Sequence, residues 1–142
     1  MRFLPLTKAD VEDVVAISKD AFKDGWNAQM LLDGIESGNL FGTICKIGNK
    51  TIAFITYSTN EEFAELNDIF VVQEYRKNGI ASVLLQGLFD NLKGKTKKIF
   101  LEVREGNAPA ISLYNKFGFT KVNVRRKYYA DGENALVLVR EN

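Results

Sequence analysis

The stretch Ile99-Phe100-Leu101-Glu102-Val103-Arg104-Glu105-Gly106-Asn107-Ala108-Pro109-Ala110-Ile111-Ser112-Leu113-Tyr114-Asn115-Lys116-Phe117-Gly118-Phe119 changes hydrophobic period partway along its length. Ile99, Leu101 and Val103 recur at the period of a strand with one buried face, which leaves Glu102 and Arg104 on the other. Glu105-Gly106-Asn107 breaks that pattern. Asn107 can cap a helix, Pro109 is tolerated in its first turn, and Ala110, Ile111, Tyr114 and Phe117 share one face before Gly118 supplies a C′ stop. A strand, a polar turn and a capped amphipathic helix in this order mark an α/β chain. They also set a carboxylate, Glu102, within a strand and a phenol, Tyr114, on the helix that follows.

Upstream, residues 63–72 read as a long strand running into Arg76-Lys77-Asn78-Gly79-Ile80-Ala81. Residues 78–92 then read as a helix with Ile80, Val83, Leu84, Gly87, Leu88 and Asn91 along one stripe. A glycine-bearing turn between a strand and a helix start presents unpaired N–H groups at the positive end of the helix dipole. Gly79 lets backbone approach a ligand oxygen with no Cβ in the way, and a pyrophosphate suits such a nest. An ordinary helix start has the same spelling, so the turn does not decide the matter alone.

The remaining elements follow from period and punctuation. Residues 2–6 form a short strand. Thr7 or Asp10 caps a helix to about Asp20 with Val11, Val14, Val15 and Ile17 as its stripe, and Asn27 caps a second helix over 29–37 that ends at Gly38. Residues 40–47 and 51–57 alternate as strands around a Gly48-Asn49 hairpin turn, and 122–126 and 135–140 close a second hairpin across 130–133. The order is β-α-α-β-β-β-α-β-α-β-β. No repeat, low-complexity segment or linker interrupts it, so one α/β domain over residues 1–142 is expected.

Composition narrows the chemistry. A net charge of +1 gives no whole-molecule field, so neither direct nucleic-acid nor membrane binding is expected. The single Cys45 lies in an alternating strand and reads as a core thiol; with one Cys and no His, internal disulfides, the usual zinc constellations and imidazole bases are excluded. Proton chemistry near neutral pH therefore falls to carboxylates, Tyr, Lys or water. The N-terminal residues Met1 to Lys8 carry no apolar signal region, and a cytoplasmic location is the expectation.

The two motifs, in this order and separation, resemble the signature of the GCN5-related N-acetyltransferases (GNAT), and within them most closely the RimI group, which acetylates protein N-termini. Residues 66–84 and 99–129 carry the resemblance. It implies the GNAT fold, a mixed twisted sheet flanked by helices whose fourth and fifth strands splay apart, with acetyl-CoA as cosubstrate and no metal. The family's loop, Gln/Arg-x-x-Gly-x-Gly/Ala, is met by Arg76, Gly79 and Ala81. The resemblance implies that Ile69, Phe70 and Val71 offer backbone to the pantetheine arm and that Arg76, Lys77, Asn78, Gly79, Ile80, Ala81 and Ser82 form the pyrophosphate loop. Asn107 would position the cofactor while still capping its helix. Glu102 becomes the candidate base and Tyr114 the candidate acid at the departing sulfur. The chain departs from the RimI pattern at Glu105-Gly106, where a Ser commonly precedes the Asn.

Elementary energetics bear on the acceptor. An α-amine of pKa about 8 costs about 1.4 kcal/mol to deprotonate at pH 7, against about 4.6 kcal/mol for a Lys. One carboxylate base suits the former. A phenol of pKa about 10 giving a full proton to a thiolate of about 8.5 is uphill by roughly 2 kcal/mol, so Tyr114 is better described as a hydrogen-bond donor to the leaving thiolate.

Arg125-Arg126-Lys127-Tyr128-Tyr129 resembles the RimI segment close to where peptide N-termini enter, with Tyr128 and Tyr129 as candidate peptide contacts and the cations solvated. Trp26, in the loop between the first two helices, is a third candidate substrate contact. Glu61, Glu62, Glu65 and Asp68 form a solvated acidic face that would favour basic peptides. The resemblance implies transfer of acetyl to a protein α-amine, a ribosomal-protein N-terminus in particular, by direct attack in a ternary complex. Two alternatives stand beside it: acetylation of a small-molecule amine, and an idle acyl-CoA-binding module. The oligomeric state is not legible in the sequence.

Overall fold

A computed structural model describes residues 1–19, 27–60 and 62–142. Its strands are β1 (Arg2–Pro5), β2 (Leu40–Ile47), β3 (Lys50–Thr59), β4 (Phe63–Val71), β5 (Lys98–Arg104), β6 (Thr120–Arg125) and β7 (Ala135–Glu141), and its helices are α1 (Val11–Ile17), α2 (Ala28–Ser37), α3 (Ile80–Leu92) and α4 (Ala108–Lys116). One seven-stranded sheet runs β1-β2-β3-β4-β5-β7-β6. Every pairing is antiparallel except β4 with β5.

The capping chemistry behaves as its residues dictate. Thr7 and Asp10 form a capping box ahead of α1, Asn27 Oδ1 accepts from Met30 N–H at 3.0 Å, and Gly38 closes α2 at φ +81°. Strand β3 is buried on both faces. Ala53, Ile55 and Tyr57 join the core under α3 and α4, while Phe54 joins the core under α1 and α2. Phe54 and Ile55, both fully buried, each stabilise the fold by about 1.5–3 kcal/mol.

The stripe of α3 differs from its sequence reading. Ile80, Leu84, Leu85, Leu88, Phe89 and Leu92 are buried, whereas Val83 is half exposed. The buried face is centred a residue off the expected i, i+3 row because Phe89 also packs on Phe117 and Phe119, at centroid separations of 5.9 and 6.1 Å. Cys45 is fully buried, and burial pushes its thiol pKa up.

The functionally decisive feature lies between β4 and β5. They pair only from Phe63↔Lys98 to Leu66↔Leu101. Across β4 the register to β3 jumps from Thr56↔Asp68 to Tyr57↔Leu66, which leaves Asn67 as the extra residue of a bulge. A bulge bends its strand and raises local twist. Asn67 Nδ2 donates to Ser58 Oγ at 2.7 Å and holds the bulge against β3. Beyond it β4 parts from β5, and a cleft opens. Among the described residues no helix is long and apolar enough to cross a membrane.

Candidate active site

The cleft has a volume of about 1250 Å³ and is walled by the far half of β4, the start of α3, β5 and α4. Its end at the start of α3 is built from two left-handed residues, Lys77 at φ +67° and Gly79 at φ +77°. A non-glycine residue in that region is strained, and such strain collects at ligand sites. A Cβ on Gly79 would meet nothing within 4 Å, so this backbone borders open space. The first bond of α3 is Val83 N–H to Gly79 O, and the N–H groups of Ile80, Ala81 and Ser82 therefore have no intrahelical acceptor.

Arg76 folds back along the loop. Its Nε donates to Val71 O at 2.8 Å, and its guanidinium lies 5.5 Å from the Phe70 ring centroid. Ile69, Phe70, Val71, Arg76, Lys77, Gly79, Ile80, Ala81, Ser82 and Asn107 all line the cleft. Asn78 does not. Its side-chain amide donates to the carbonyls of Tyr75 and Arg76 at 3.1 and 3.3 Å, so it shapes the turn from behind. Asn107 caps α4, its Oδ1 accepting from Ala110 N–H at 3.3 Å.

Glu102 follows the alternation of β5, with Leu101 and Val103 buried on the opposite face. Its own face is the floor of the cleft rather than open solvent, and its side chain is 21% exposed. Oε2 is buried without a hydrogen-bond partner, and the Nε of Arg125 stands 3.4 Å from it. The charge of Glu102, then burial and its hydrogen bond to Glu102, push the Tyr128 hydroxyl pKa up. Glu65, which lines the same cleft from β4, is raised by burial first and by Glu102 second, with Arg125 acting in the opposite sense.

Tyr114 looks in from α4. It is 7% exposed, packs edge-on against Phe119 at 5.8 Å, and has its pKa driven upward by burial, with Asp68 and Tyr129 adding to the effect. A phenol so placed stays protonated and donates. Tyr128 and Tyr129 stand at the cleft with their rings 5.1 Å apart and nearly perpendicular. Arg104 fixes the second of them, its guanidinium 4.1 Å from the ring centroid while it pairs with Asp131 and Glu133, both at 2.9 Å. Glu133 Oε2 in turn accepts from Gly106 N–H at 2.8 Å, and a Cβ on Gly106 would come within 2.7 Å of that oxygen. A side chain at the glycine that departs from the RimI pattern would make the Glu133 carboxylate shift.

Three corrections to the sequence reading follow. Arg125 is not a freely solvated cation; the strand order β5-β7-β6 brings it to Glu102, and no short-range signal in the sequence contains that order. The acidic face divides: Glu65, opposite the buried Ala64 and Leu66 in the alternation of β4, and Asp68, beyond the bulge, line the cleft, whereas Glu62 stays in the hairpin outside it. Ala110, read on the helix face shared with Ile111 and Phe117, also forms the cleft wall on α4, together with Leu113. Trp26 and Glu61 lie outside the described residues.

Comparison with known proteins agrees with this geometry. Residues 11–119 match the model of the Acetyltransferase (GNAT) family. An N-alpha-acetyltransferase of Saccharolobus solfataricus is 28% identical over 145 aligned positions, covering 92% of this chain and 87% of its own. The crystal structure of the ribosomal-protein-S18-alanine N-acetyltransferase from Escherichia coli superposes with a TM-score of 0.84 at 28% identity, over 99% of this chain and 92% of that one. Arabidopsis thaliana NAA60 in complex with acetyl-CoA shares the fold at a TM-score of 0.87 and 20% identity, over 99% of this chain and 97% of that one.

Proposed function

We propose that this chain, which belongs to the acetyltransferase (GNAT) family and is an acetyl-CoA-dependent acyltransferase, acetylates the α-amine of protein N-termini by direct attack in a ternary complex. The observation that carries the reading is Glu102, a partly buried carboxylate on the floor of the cleft that opens where β4 and β5 part. The printed activities of the Saccharolobus and Escherichia coli relatives support the same acceptor class and make a ribosomal-protein N-terminus the first candidate.

The residues present fit the cosubstrate. The partnerless N–H groups at the start of α3, the open space beside Gly79 and the adjacent left-handed Lys77 form a cradle of donors for a pyrophosphate. The unpaired side of β4 at Ile69 to Val71 offers backbone to an extended arm. When bound, acetyl-CoA supplies the acetyl carbonyl that is attacked and the thiolate that leaves. Bringing an α-ammonium to the neutral amine at pH 7 costs only about 1.4 kcal/mol, and Glu102 accepts the proton that the amine sheds as its nitrogen bonds to the acetyl carbon and the thiolate leaves. Tyr114 donates a hydrogen bond rather than a proton, since its raised pKa makes full transfer costlier than for an ordinary phenol. Tyr128 and Tyr129, held by Glu102 and Arg104, flank the place where peptide backbone enters.

Incubation with acetyl-CoA and a panel of N-terminal peptides, ribosomal-protein termini included, tests this by mass. Acetyl addition at the α-amine is the expected result. Acetylation confined to small amines, or cofactor binding without turnover on any peptide, overturns it.

A further inference from the structure

We propose that Arg125 of β6 is the positioning residue of this site, its guanidinium paired with Glu102 of β5 and offsetting the repulsion between that carboxylate and Glu65 of β4, so that Glu102 is free to act. The inference rests on the reading of Glu102 as base. Geometry carries it. Arg125 Nε stands 3.4 Å from the Glu102 oxygen that is buried and has no hydrogen-bond partner, and the Arg125 guanidinium lies 5.9 Å from the Tyr128 ring centroid. Glu65 lines the same cleft, and its carboxyl responds to Glu102 in one sense and to Arg125 in the other.

The surrounding charges leave this task to Arg125. On β5 the next residue of that face is Arg104, but it is engaged by Asp131, Glu133 and the Tyr129 ring. Across the cleft, α4 presents Tyr114, a neutral phenol that feels Asp68 of β4. Two carboxylates in one partly desolvated site repel, and one of them then holds its proton to higher pH. A cation paired with one of them lessens that penalty. Arg suits the place because it cannot itself titrate, and its plane lies 5.9 Å from the Tyr128 ring centroid, which orients it.

The test uses Arg125→Gln, a change at a half-exposed side chain. Side-chain carboxyl titration by ¹³C NMR on the full chain without CoA should show the Glu65 midpoint rising by about half a pH unit or more, since loss of a neighbouring cation favours the neutral carboxyl. In Glu102→Gln the same midpoint should fall. In turnover, the acid limb of kcat/KM should move to higher pH in Arg125→Gln, return in the Glu65→Gln/Arg125→Gln double variant, and stay near wild type in Arg125→Lys. An unmoved Glu65 midpoint in Arg125→Gln overturns the inference. So does a loss of activity with an unmoved acid limb that Glu65→Gln does not restore, the result a merely structural Arg125 would give. The NMR readout needs no acceptor, so failure of the acetylation reading is seen separately, as undiminished turnover in Glu102→Gln.

Discussion

A carboxylate on a strand is at no disadvantage while water covers it, and most strand glutamates stay that way. Glu102 occupies the polar side of a regular alternation, yet the splay of β4 from β5 replaces bulk solvent over it by a cleft with Arg125 and Tyr128 as its neighbours. Glu102→Gln keeps the shape and removes the proposed base. It should lower kcat by about 10² or more, with the thermal midpoint and acetyl-CoA affinity nearly unchanged. Tyr114→Phe should cost less, because a thiolate is already a fair leaving group and only a hydrogen bond is lost; stopped-flow single-turnover rates for both variants, compared at saturating peptide, check the order. Both positions were legible in the sequence through strand alternation and helix phase. Arg125 was not, since its partner lies two strands away in the sheet and far along the chain.

Elements were legible wherever a local device sets them. Asn27, Asn107, Gly38 and Gly118 mark helix ends by chemistry that acts within one turn, and the strands and helices they bound fall within a few residues of their expected limits. The Asn67 bulge and the shifted face of α3 were not legible, because both are set by what packs across the sheet. The phosphate loop lies between these cases: its glycine was readable, its second left-handed residue, Lys77, was not. Gly79→Val tests the loop as a unit. At φ +77° a β-branched residue is strained whatever the space around it, and its methyls would project where backbone must meet phosphate. Calorimetry should show acetyl-CoA binding weakened at least tenfold in a variant that remains folded by circular dichroism. Unchanged affinity would remove the pyrophosphate from this loop.

At the scale of the whole molecule the charges nearly cancel, at +1 over 142 residues, so any electrostatic preference for an acceptor has to be local to the cleft mouth. Glu65 and Asp68 line the cleft, whereas Glu62 sits in the hairpin before β4 with its backbone tied to Asn60. Glu65→Lys should therefore raise KM for peptides with a basic residue after the acceptor and leave neutral peptides close to wild type. Glu62→Lys should discriminate less between the two peptides. The effect works through partly screened Coulomb terms that steer encounter, over a Debye length of about 8 Å at physiological ionic strength. The basic-to-neutral ratio of kcat/KM should accordingly converge on one value for wild type and Glu65→Lys as salt rises. Equal losses on both peptides, or a ratio indifferent to salt, would mean that Glu65 acts only through its coupling to Glu102 and Arg125, and that acceptor choice is made by contacts at Tyr128 and Tyr129 rather than by charge.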